Sequence, residues 1–348
     1  MLQKHKLPQN LLLLMTQGPG RFEFYLIQLD ELLLQSAKTE NPALYLYKND
    51  ARTKVFMLEG LSKLYAGMHN EKRFSYAKAY FKTLEDALGD IDHYYTYAEQ
   101  FFADPEMLST IRMFIEQKRD EKLAEMNVLL VKKKWIANSK YRTKKIRKKL
   151  QKADWLEPEK EVLAINNYYK KAIKDVIEFY EKTGTAFTDI ELQVHEIRRK
   201  LRWLSIYPQA LQGTIQFIDS NIKDENVTKY LTDEIVNSPY NKMPAAGNNK
   251  TVFLFEKNYF LALSFTISAL GKLKDKGLQV LAIAEAVEAT QFVNHEIALQ
   301  KSYELTKMNN EGLTITMANA KAVCEPFFNE DNLGKMIVGV KDSEQTET

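Results

Sequence analysis

Cysteine is nearly missing from this chain: Cys324 stands alone among 348 residues. Neither a disulfide framework nor a cysteine metal site is therefore available, and a lone thiol fits a reducing, cytoplasmic setting. Glycine and proline are scarce, at 13 and 9 residues, which disfavours strands joined by tight turns and favours long helices. No stretch approaches the ~20 apolar residues of a membrane span. The apolar run Leu11–Met15 behind Lys4 and Lys6 is shorter than a signal-peptide core, so no membrane partner is expected. A formal net charge of +3 is too small for a generic nucleic-acid binder, and the placement of charge matters more than its sum. The five histidines include no His-x-x-x-His pair, and no metal site is expected. Phosphate-binding glycine loops, nucleophile elbows and dinucleotide fingerprints are absent too. The expectation is a protein without cofactor or catalytic activity.

What is present is helical periodicity. Apolar residues at helical spacing follow the breaker Gly18-Pro19-Gly20 over Arg21–Lys38. Pro42 opens a helix towards Ala66, and Glu71–Phe102 predicts a third. Asp104-Pro105 starts a fourth, which periodicity extends to about Leu150 with a break near Asn138-Ser139. Pro158 begins a helix ending before Gly184. Thr188-Asp189 caps the next, which should stop before Pro208. Residues 238–251 read as a long loop, Val252–Leu270 as a helix, and Leu278–Met308 as another. Thr314–Met317 and Met336–Val340 are candidate short strands, and Asp342–Thr348 is a polar tail. The fold class is all-α, with two similar antiparallel bundles: residues 1–153, carrying a basic helix over 132–152, and residues 154–312. Residues 313–348 form an irregular tail. A short repeat links the halves, since 81–92 and 263–274 both end an apolar helix in Ala-Leu-Gly followed by a polar residue, Ile or Leu, and a charged residue. Glycine there permits close helix approach or a turn.

Residues 194–204 separate two chemistries. At 100° per residue, His195, Arg198, Arg199 and Arg202 share one helix face. Val194, Ile197, Leu201 and Leu204 form an apolar stripe about 130° away. One stripe joins a core; the other presents an imidazole and three guanidiniums, whose planar forks suit phosphate. The same pattern also describes a solvated face on a bundle helix.

These residues resemble the CHAD family, the conserved-histidine α-helical domains. His195-x-x-Arg198-x-x-x-Arg202-x-Leu204 is similar to that family's histidine helix, and Leu270-Gly271-Lys-Leu-Lys-Asp275 to its Leu-Gly-x-x-Arg-Asp turn. Leu88-Gly89-Asp-Ile-Asp-His93 is a fainter copy. The resemblance implies two helical bundles around a basic groove that binds inorganic polyphosphate or related phosphate-rich polyanions through His195, Arg198 and Arg202, with Arg199 beside them by geometry. It places Arg52 at the corresponding position of the first half and implies that part of the 132–152 run, Lys145 included, borders the groove. Trp203 and Ser205 depart from the family by replacing two basic positions.

Between Lys132 and Lys152 eleven residues are basic and none is acidic. Such a run attracts polyanions over a Debye length of about 8 Å. On a helix its cations spread around the circumference, so nucleic acid is not the expected partner, although Trp135 and Tyr141 would permit stacking. The rival from another class is a helical scaffold that binds protein partners and holds no anion.

Overall fold

The computed structural model describes residues 17–136, 141–183, 186–218, 224–308 and 312–342. The architecture is mostly helical with one small sheet, as the scarcity of glycine and proline implies. Helix α1 (Gly18–Ser36) is followed by α2 (Pro42–Lys48), α3 (Ala51–Met68), α4 (Glu71–Ala103), α5 (Ser109–Lys132) and α6 (Tyr141–Leu150). The second half begins with α7 (Pro158–Thr183) and a π-helical turn (Ile190–His195) that runs into α8 (Glu196–Ala210). Then come β1 (Ile215–Ile218), the single turns α9 (Glu225–Thr228) and α10 (Asp233–Val236), and β2 (Thr251–Glu256). A 35-residue helix, α11 (Lys257–Gln291), leads to α12 (His295–Leu305), α13 (Gly312–Asn329), α14 (Asn332–Met336) and β3 (Ile337–Asp342).

Several boundaries move for local reasons. The helix expected from Pro42 to Ala66 is interrupted because Asp50 is left-handed, at φ 58°. The fourth helix starts at Ser109, after Pro105. Helix α8 runs through Pro208 instead of ending before it. Proline has no N–H for the carbonyl four residues back, and that carbonyl, on Leu204, accepts the Tyr169 hydroxyl at 3.0 Å instead. The break expected near Asn138-Ser139 and the polar tail after Asp342 lie outside the described residues.

The sheet is the largest departure. β2 lies between parallel β1 and antiparallel β3. Val252, Phe253, Leu254 and Phe255 are all buried, with Tyr169 of α7 against Phe253 and Phe255 and Phe260 of α11 against Phe255. A strand buried on both faces is a continuous apolar run, which is why Val252–Leu270 reads as one helix in the sequence. Met336–Val340 matches β3, whereas Thr314–Met317 is helical within α13. The segment 313–348, expected to be irregular, is thus two helices and a strand over 313–342.

The core is continuous across the halves. Phe22, Tyr65, Phe74 and Trp155 form one aromatic cluster with ring centroids 5.2–5.9 Å apart. Gly18 is required there, since a Cβ would stand 2.3 Å from the Trp155 ring. Beside the cluster, fully buried Arg21 donates from Nη1 to Tyr65 and Glu161 and from Nη2 to Thr214, each at 2.7 Å. Tyr65 donates to Glu161 at 2.6 Å. This knot joins α1, α3, α7 and the approach to β1. A buried charge is tolerable when paired and hydrogen-bonded in this way.

Candidate functional site

Where α3, α4 and α5 of the first half face α8 and α11 of the second, a groove of about 920 Å³ opens. The apolar stripe of α8 faces away from it, into the core. Val194, Ile197, Leu201 and Leu204 are buried, which fixes the helix rotation and turns His195, Arg198 and Arg202 into the groove.

Arg198 lies across Gly271. A Cβ on that glycine would come within 3.0 Å of Nε, and Nε donates to the Ile267 carbonyl at 3.3 Å. The guanidinium of Arg202 sits 4.5 Å over the Phe56 ring. Phe56 in turn stacks on Trp203 at 4.5 Å. Trp203, one of the departures from the CHAD pattern, thereby backs the aromatic platform under Arg202, and Lys63 caps its ring at 4.7 Å. Among the described residues no carboxylate is within ion-pair distance of Arg198 or Arg202. Burial, reinforced by the like charges of Arg198 and Arg52, pulls Arg202 down to about 10. It stays charged at neutral pH but lacks a counter-ion. Burial lowers Arg198 as well, against the pull of Asp275.

Arg52 has the matching placement on α3. A Cβ on Gly89 would stand 3.0 Å from its Nη2. Here, though, Nε donates to Glu85 at 3.0 Å and Nη1 to Asp92 at 2.6 Å. Tyr47 also donates to Asp92, at 3.2 Å.

The remaining expected residues divide. His195 is half-buried, with Nδ1 3.4 Å from Glu191; that is close enough for ion pairing once the ring is protonated, but no hydrogen bond is formed. Arg199 reaches only the rim and pairs with Glu196 at 2.6 Å. Lys145 does not border the groove. It is exposed on α6, which Arg147 clamps to α1 through Glu23 and Asp30 at 2.7–2.9 Å.

The groove is also mixed in charge, not uniformly basic. Eight lysine or arginine residues line it together with six carboxylates, Glu85, Asp86, Asp90, Asp92, Glu191 and Asp275. Four of those carboxylates come from α4, so an acidic wall faces the cations of α8 and α11. The α4 carboxylates carry no signal of their own in the sequence beyond the fainter Leu88-Gly89 copy, whereas the wall of α8 was marked by the basic face of residues 194–204. His93, at the end of the fainter Leu-Gly copy, is in the groove. It stands edge-on to Tyr94 and Tyr97 at 4.8 and 4.9 Å. Burial lowers its pKa while Glu191 works the other way. Tyr97 donates to the Asp275 carbonyl at 3.3 Å, and Tyr94 reaches Glu285 at 3.2 Å. Both contacts tie α4 to α11 across the groove. No cluster of three or more metal-ligating side chains occurs among the described residues, and no described helix is long and apolar enough to cross a membrane.

Compared with known proteins, the chain matches no family model and no curated protein.

Proposed function

We propose that this protein is a diverged CHAD-like binder of phosphate-rich polyanions, inorganic polyphosphate among them, held in the groove between its halves. One observation carries the reading. Arg198 and Arg202 are two partly buried guanidiniums, side by side, fixed by a glycine and an aromatic ring and unpaired with any carboxylate among the described residues. Desolvated like charges destabilise one another, and a bound anion would relieve both. Each charge-assisted contact contributes about 1.5–3 kcal/mol at best. Arg52 becomes a third donor only by exchanging Glu85 and Asp92 for the ligand. No catalytic role is proposed, and a cytoplasmic setting accompanies the reading.

The acidic wall favours a second reading, a helical scaffold without an anion site. Calorimetric titration with polyphosphate in low and high salt separates the two. Binding that weakens steeply with salt and falls about a hundredfold in Arg198→Ala/Arg202→Ala supports the first. No heat of binding in low salt, with a protein partner recovered instead, supports the scaffold.

A further inference from the structure

The basic run over 132–152, which the groove does not use, has a different arrangement from the one its sequence suggests. Its arginines turn inward. Arg142 is buried, donates from Nε to the Lys133 carbonyl at 2.8 Å and stacks 3.9 Å over Tyr80. Arg147 is consumed by Glu23 and Asp30. Thr143, Ile146 and Leu150 complete the buried stripe. The described lysines turn outward: Lys144, Lys145, Lys148, Lys149 and Lys152 are exposed on one face of α6 and its end. Lys132 at the end of α5 and Lys133 and Lys134 in the turn after it are also exposed, with Lys134 5.1 Å over the Tyr141 ring. None of these lysines is in an ion pair among the described residues. Helical spacing places Val128, Val131 and Lys132 on one face of α5, and both valines are mostly exposed, at 65% and 55%.

We propose that this lysine face docks on an anionic lipid surface. Clustered lysines without carboxylate partners are drawn to the negative potential of such a surface. The two exposed valines that share a face of α5 with Lys132 would enter the boundary of the acyl layer. A nucleic acid fits less well. The guanidiniums that would grip phosphates bidentately are spent inside the fold, and Trp135 is buried at 1% exposure, which leaves Tyr141 as the one exposed ring of the described run to stack on a base. The contact is peripheral, which is compatible with the lack of a spanning helix among the described residues. It is also independent of the groove.

Co-sedimentation of the full chain with phosphatidylcholine vesicles, with and without phosphatidylserine, tests this at about 0.15 M salt. The expected result is retention only on the anionic vesicles. Lys144→Glu/Lys145→Glu/Lys148→Glu should weaken it about a hundredfold, Val128→Ser/Val131→Ser by several-fold, and Arg198→Ala/Arg202→Ala not at all. Circular dichroism confirms that each variant folds. No retention by anionic vesicles, or retention indifferent to the lysine reversals, overturns the proposal. So does capture by single-stranded RNA with none on vesicles, which would give the face to nucleic acid.

Discussion

Arg52 and Arg198 each lie across a glycine on opposite sides of one groove, yet they do different work. In the first half the carboxylates of Glu85 and Asp92 satisfy the guanidinium, and Tyr47 braces one of them. In the second half no carboxylate among the described residues is within ion-pair distance, Asp275 acts on Arg198 only from further off, and the charge of Arg198 opposes that of Arg202. The cradle is shared, so it does not by itself make a binding site. The difference lies in the counter-charge: the first side has supplied its own and the second has left the place open.

The largest expected effect bears on the cost of the acidic side. Glu59 is buried on α3, and desolvation together with Glu85 pushes it up to about 7. A carboxyl raised above its unfolded value adds stability that is complete below the unfolded pKa, near 4.5, and lost as pH rises through about 7. Between pH 5 and pH 9 that loss is about 3 kcal/mol. Denaturant unfolding across this range should show it in the parent and not in Glu59→Gln. Lys63 on the same helix works in the opposite direction. Burial and neighbouring cations hold it near 8, so its contribution is complete above about 10.5 and lost as pH falls through 8. Comparison with the single variant isolates the glutamate.

Next in size, Arg198→Ala should weaken polyphosphate binding about tenfold or more, whereas Arg52→Ala should change it less than about threefold. Equal losses from the two would erase the distinction between the halves. The glycines give a smaller contrast. Gly271→Ala pushes on Arg198 at 3.0 Å and should cost affinity about threefold, while Gly89→Ala should disturb only an arginine already neutralised. The smallest effect is a gain. Glu85→Gln/Asp92→Asn releases Arg52 and should tighten binding about twofold at low salt, read by the same titration.

The helices were legible because their periodicity and end signals agree, as at Pro158 and Asp189. The rotation of α8 was legible too, since its two stripes are chemically opposed. What escaped reading was set by distant partners. Residues Val252–Phe255 form a strand because β1 and β3 pair with it on both edges and its side chains are all buried, and no local pattern distinguishes that from a buried helix. Arg142 and Arg147 look like surface cations until Tyr80, Glu23 and Asp30 are brought to them by the fold. The acidic wall was invisible for a plainer reason: its residues are ordinary solvent-facing positions of an amphipathic helix, and only the opposing half makes them a wall.

The buried knot at Arg21 bears on how the molecule can be cut. A fragment ending at residue 153 would keep the arginine and Tyr65 but forfeit Glu161 and Thr214. A guanidinium would then be stranded in the interior, and Gly18 would face the empty place of Trp155. Such a fragment should not hold together when expressed alone, whereas the same fragment mixed with the missing remainder has a route to reassembly. The two halves thus share one core, and its first helix is sealed by residues that are synthesised much later.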